Sequence, residues 1–273
     1  MKKTLTKTTA LIFSLFGIIL FLTGCGNNSS KPLSTKSITV GVTAGPHQQI
    51  MEQVKKIAAK HGLTINIRSF TDYNTPNSAL NSGDIQASSF ETGQFLKQQM
   101  ADKNYKFVKA FKTVALPMGI YSNKIKNLKD LKTGAKIAVP NDATQEARAL
   151  RIFQKAGVLK LKSGLGLKAT KNDLAANPKK LKIYELDASQ IPKQLNEFDA
   201  AAINSNFALD NNMTLKQAIA HEPLKNNAWP NYFVVKAGHQ NDKVVKKIEK
   251  YYHSDAIKNY VNKEFKGALI PEW

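Results

Sequence analysis

One order of elements occurs twice in this chain and restricts its fold more than any other feature. Residues 37–42 (SITVGV) read as a strand that passes through Gly45-Pro46 into a helical pattern over residues 47–60. A second strand-like run follows at residues 63–70 (LTINIRSF), where β-branched and polar positions alternate. After Pro76 a short helix ends near Gly83, a small-residue strand covers residues 85–88, and Phe90 lies just beyond it. The middle of the chain repeats that order. Residues 136–140 predict a strand, residues 141–144 open a helix to about Ala156, and residues 181–186 predict another strand. A short helix over residues 189–196 and a small-residue strand over 199–203, ending at Asn204, complete the second half. Each half needs helices laid over a mostly parallel sheet, so the expected fold is α/β with two domains.

Two further apolar stretches, residues 114–121 (VALPMGIY) and 231–235 (NYFVV), flank the second half. A last helix, predicted over residues 243–265, packs back on the first domain if the chain crosses between domains twice. Two crossings make a hinge. The resulting division is a leader over residues 1–24 and a tether over 25–37. The first lobe takes residues 38–115 plus 232–273, the second takes 122–228, and the crossings are 116–121 and 229–231. A cleft between two such lobes, at strand carboxyl ends and helix N-termini, encloses small molecules.

The N-terminus indicates the compartment. Lys2, Lys3 and Lys7 precede an apolar run over residues 10–22, followed by Thr23, Gly24 and Cys25. A positive start, a short apolar stretch and small residues before a cut describe a secretory signal, and the run is short for a permanent span. Leu22-Thr23-Gly24-Cys25 also resembles a bacterial lipobox, in which the cysteine is lipidated and becomes the new N-terminus. The polar segment GNNSSKPLSTKS behind it reads as a tether, placing a folded body outside the cell membrane on acyl chains.

Composition removes several functions. Cys25 is the only cysteine, and no CxxC pair or His cluster offers metal-ligand spacing, so disulfides, bound metal and cofactors are not expected. A formal charge of +20 falls to +17 once the leader's three lysines are removed. Only Arg68, Arg148 and Arg151 of the forty basic residues are arginine, and the lysines are scattered, which fits a solvated surface rather than nucleic-acid binding. Such a surface also suits weak attraction to an anionic wall polymer, so a wall-associated adhesion lipoprotein is the alternative function. No GxSxG, P-loop or HExxH is present, and the five histidines are dispersed, so the chain is read as a binding protein and not an enzyme.

Residues 139–148 (VPNDATQEAR) carry the most chemistry. Asn141 or Asp142 can cap the helix, whose free N–H groups and dipole favour an anion. Arg148 follows on the same helix, and its planar fork suits a carboxylate. An accompanying amine needs acceptor oxygens, which Asn204 and Asn231 can offer at a strand end and at the second crossing. Tyr73, Phe90, Phe95, Met118 and Tyr121 are candidates for an apolar wall.

Taken together, SITVGVTAGPHQQI, FTDYNTPNSALNSGDIQASSF, IAVPNDATQEARAL, LKIYELDASQIP and AAINSNFA closely resemble the methionine-binding lipoprotein family (MetQ/NlpA), over nearly the whole mature chain. The resemblance implies a two-lobed, type II periplasmic-binding fold that delivers a free amino acid to an ABC permease driven by a separate ATPase. It implies that Arg148 pairs with the substrate carboxylate, that Asn204 and Asn231 hold the amino-acid head, and that Tyr73 and Phe90 pack on the thioether. Thr92 and Phe95 stand where the family commonly has His and Tyr. Both changes remove contacts from the side-chain end of the pocket, leaving D-methionine, another apolar amino acid or a short peptide as alternative ligands.

Overall fold

The computed structural model describes residues 31–273; the leader, Cys25 and the first part of the tether lie outside the described residues. The chain begins with β1 (Ser37–Thr43), α1 (Pro46–Lys60), β2 (Thr64–Phe70), α2 (Thr75–Ser82), β3 (Ala87–Thr92), α3 (Gly93–Lys103) and β4 (Phe107–Ala115). It continues through β5 (Gly119–Tyr121), β6 (Lys136–Pro140), α4 (Ala143–Lys155), β7 (Lys160–Leu161), β8 (Leu174–Ala176), β9 (Lys182–Leu186), β10 (Ala200–Ile203), α5 (Ser205–Asp210) and β11 (Ala220–His221). It closes with β12 (Pro230–Lys236), α6 (Lys243–Tyr252), α7 (Asp255–Phe265) and β13 (Ile270–Pro271).

These strands form two main sheets. The first has the order β13-β4-β12-β3-β1-β2, with β1 parallel to β2 and β3, and β12 antiparallel to β3 and β4. The second has the order β11-β5-β10-β6-β9, with β6 parallel to β9 and β10. Each lobe has its own core. Val40, Ile50, Val54 and Ile248 are fully buried in the first, and Ile137, Val139, Leu150 and Phe153 in the second.

Local chemistry explains where the elements start and stop. Gly45 takes φ 78, open to glycine at little cost, and Pro46 then sits in the first turn of α1, where its missing N–H is harmless. Gly41 is needed for a different reason: a Cβ there would lie 2.4 Å from Ile85 Cδ1. Asp142, rather than exposed Asn141, caps α4, its Oδ1 accepting from the N–H groups of Thr144 and Gln145 at 3.0 Å each. Asn141 instead donates its backbone N–H to Leu186 O.

Several boundaries differ from the sequence reading. Strand β3 begins later and runs to Thr92, because pairing with β12 extends the polar run ASSFET and takes in Phe90. The helix expected over residues 243–265 is two helices, broken where Ser254 caps α7 by accepting from Ile257 N–H. The short helix near residue 189 is a 3₁₀ turn over Pro192–Glu197. Residues 119–121 and 230–231, expected in the crossings, are strand residues of β5 and β12. Pro117 separates β4 from β5, since it has no N–H for a ladder and keeps Leu116 extended. The tether also ends early: Leu33 N–H donates to Asp242 at 2.8 Å and its side chain packs on the first core.

Candidate functional site

The parallel strands of both sheets point their carboxyl ends at a narrow cavity between the lobes. The first lobe and first crossing contribute His47, Tyr73, Phe90, Glu91, Thr92, Phe95, Asn231 and Leu116, while the second lobe contributes Gln145, Arg148, Asn204, Ser205 and Asn206. Each half delivers polar groups from a first helical turn. His47 lies just after Gly45-Pro46 on α1, Gln145 and Arg148 lie on α4 after its Asp142 cap, and Ser205 and Asn206 open α5 after Asn204.

Buried charge concentrates on Arg148. Its Nε donates to Glu222 Oε1 at 2.9 Å and its Nη2 to Glu222 Oε2 at 2.6 Å. Nη2 also donates to Leu116 O at 2.9 Å, and Nη1 donates to Gln145 Oε1 at 3.1 Å. Trp229 lies against the guanidinium, 5.2 Å from ring centroid to Cζ. Arg148 thus meets the cavity as expected, but the edge of its fork is already closed by Glu222. Gln145 Oε1 accepts a second bond from Asn204 Nδ2 at 2.8 Å, which leaves Asn204 Oδ1 buried without a protein partner. An acceptor oxygen without a partner therefore stands beside a guanidinium with one N–H to spare.

On the opposite wall, Asn231 Nδ2 donates to Phe90 O at 2.7 Å and lies 2.8 Å from His47 Nε2. A carbonyl can only accept, so the amide nitrogen faces both groups and His47 Nε2 accepts. The ring proton then sits on Nδ1, donated to Thr43 Oγ1 at 2.7 Å. Burial holds His47 down at about 3, so the ring is neutral at ordinary pH. Burial also pushes the Glu91 carboxyl up to about 8, outweighing the hydrogen bond it accepts from Asn77 Nδ2 at 2.9 Å.

Aromatic rings form the remaining wall. Tyr73 packs at 6.0 Å from Phe90, 5.9 Å from Phe95 and 4.9 Å from Phe207, and its hydroxyl donates to Asn206 Oδ1 at 2.6 Å, from one lobe to the other. Thr92 lines the cavity while its hydroxyl caps α3 by accepting from Phe95 N–H at 3.2 Å.

Arg148, Asn204, Asn231, Tyr73, Phe90, Thr92 and Phe95 therefore all come together. Asn141 and Met118 do not. Asn141 is exposed because the strand-to-helix turn hands the cap to its neighbour, and Met118 is buried in the second core. Tyr121 packs in another cluster of the second lobe, against the β10 side of its sheet. Sequence reasoning missed His47, Glu91, Gln145, Ser205, Asn206 and Glu222. The repeated strand-to-helix order could have found His47 and Gln145, since both occupy first turns after parallel strands. Glu222, at the end of a two-residue strand, carried no local signal.

Two α/β lobes enclosing a cavity with a polar head and aromatic walls define a small-molecule binding protein of the two-lobed class. The chain belongs to the NlpA lipoprotein family, whose family profile matches residues 38–273. It is 40% identical over 271 residues to the D-methionine-binding lipoprotein MetQ of Salmonella typhimurium, covering 98% of each chain. Among solved structures it resembles a nutrient-binding protein from Burkholderia cenocepacia bound to methionine, with 44% identity and a TM-score of 0.83, covering 86% of this chain and all of that one. It also resembles an ABC transporter periplasmic substrate-binding protein from Coxiella burnetii, with 43% identity and a TM-score of 0.82, covering 86% of this chain and 99% of that one.

Proposed function

We propose that this protein captures a free amino acid, most readily methionine, outside the cell membrane and delivers it to an ABC permease and its ATPase. One observation carries the reading. Asn204 Oδ1, a buried acceptor without a partner, stands in the same cavity as the remaining N–H of Arg148, so one end of the cavity offers an oxygen to an ammonium and a cation to a carboxylate. Tyr73, Phe90 and Phe95 then enclose an apolar side chain. The relatives' names, which refer to methionine binding and to ABC transport, support the same assignment.

In this reading Cys25 holds the protein to the membrane by its lipid, the ligand bridges the lobes, and its higher affinity for the closed form stabilises closure. No bond is made or broken. Equilibrium dialysis of labelled L-methionine against protein stripped of ligand by unfolding and refolding tests it. Saturable binding to one site is expected, with Arg148→Ala weakening it by roughly 3 kcal/mol, about a hundredfold. Absence of binding to methionine, to other amino acids and to dipeptides, with salt-sensitive binding to anionic wall polymer instead, would favour the adhesion function.

A further inference from the structure

Arg148 is expected to greet a ligand carboxylate, yet the structure gives most of that side chain to Glu222. A guanidinium has five N–H bonds, and here one on Nε and both on Nη2 are directed at Glu222 and Leu116 O, while one on Nη1 reaches Gln145. A single N–H on Nη1 is left. Glu222 is itself fixed: Oε2 accepts from Met118 N–H at 2.8 Å, and its own N–H donates to Met118 O at 3.0 Å. Arg148 and Glu222 are 3% and 5% exposed, so water screens neither charge.

We propose that Glu222 sets the net charge that a ligand of this site must carry, by cancelling the charge of Arg148 and restricting it to one hydrogen bond. This inference rests on the amino-acid reading above. Among the residues that line the cavity, the other titratable groups are Glu91 and His47, both kept neutral by burial near neutral pH, together with the Tyr73 phenol. Two further acids act on Tyr73 from outside the lining: Asp142 is engaged at the start of α4, and Asp187 accepts from the N–H and hydroxyl of Ser189. A cavity whose fixed charges cancel favours a ligand whose own charges cancel. A zwitterion satisfies both the donor and the acceptor, whereas a monoanion brings one unbalanced charge into a low-dielectric space.

The probes are L-methionine and its 2-hydroxy analogue, which keeps the carboxylate and thioether and replaces the ammonium by a hydroxyl. In the unaltered protein, the hydroxy acid is expected to bind at least tenfold more weakly by calorimetry; equal or tighter binding overturns the proposal whatever a variant does. Glu222→Gln is expected to narrow that ratio at least tenfold, because the uncancelled guanidinium attracts the anion and repels the ammonium. A purely structural role for Glu222 would weaken both ligands alike, and an unchanged ratio overturns the proposal. Glu222→Asp, which keeps the charge, is expected to keep the ratio within a few-fold. Should Glu222→Gln fold only with ligand, refolding yield gives the same answer: better rescue by the hydroxy acid supports the proposal and equal rescue contradicts it. Failure of the unaltered protein to bind L-methionine at all would instead remove the amino-acid reading.

Discussion

Arg148 joins stability to binding, since its removal strands the buried carboxylate of Glu222 as well as the ligand's own. Arg148→Ala is therefore expected to destabilise the ligand-free protein by roughly 3–5 kcal/mol, read from urea unfolding. His47 and Glu91 respond to pH in opposite senses. The His47 ring is held below its ordinary 6.5, so its contribution is present above that value and is lost as pH falls. Glu91 is raised from 4.5 to about 8, so the folded protein holds an extra proton between those values and stability falls as pH rises through them. From pH 6.5 to 8 the imidazole is neutral in the folded protein and sheds only its last half proton in the unfolded chain, a gain of about 0.4 kcal/mol. The decline over that range then belongs to Glu91, with a smaller part from Glu146, which burial raises to about 7. Glu91→Gln is expected to remove on the order of 1–2 kcal/mol of that decline in urea melts at pH 6.5 and 8. An equal decline in the variant would contradict the burial of a neutral carboxyl.

Strands and helices with strong local patterns were legible in the sequence. Strand β6 spans Lys136–Pro140 as read, and α1 starts at the Gly-Pro turn. What escaped was set by tertiary pairing: β3 reaches Thr92 only because β12 pairs with it over Ser89, Glu91 and Thr92. The same division holds for the site. Arg148 and Asn204 were readable because they follow parallel strands, and Asn231 because it lies beside the second crossing, whereas Glu222 reaches Arg148 across 74 residues and no local pattern marks it. Cap chemistry decides the finer breaks. Asp142→Ala opens two N–H groups at the start of α4 and is expected to cost about 1 kcal/mol of stability by urea unfolding. An unchanged midpoint would show that the cap is not limiting.

Across the whole molecule, the cavity exists because two lobes meet. Tyr73 reaches Asn206 from the other lobe, and a Cβ on Gly45 would come within 3.4 Å of Asn206 O, so the first turn of α1 approaches α5 closely. A ligand that bridges such lobes stabilises the folded protein by mass action, about 2.7 kcal/mol at a hundred times its Kd. For a chain of this size, saturating L-methionine is expected to raise the unfolding temperature by roughly 5–10 °C. Among the described residues no helix is long and apolar enough to cross a membrane.

A crystal structure grown with saturating L-methionine tests the central claim most directly. The expected density places the amino acid between the lobes, its carboxylate about 3 Å from Arg148 Nη1 and its ammonium at Asn204 Oδ1, with the thioether against Tyr73 and Phe90. Methionine bound elsewhere, or a cavity that closes on water with Asn204 Oδ1 still unpaired, would contradict it.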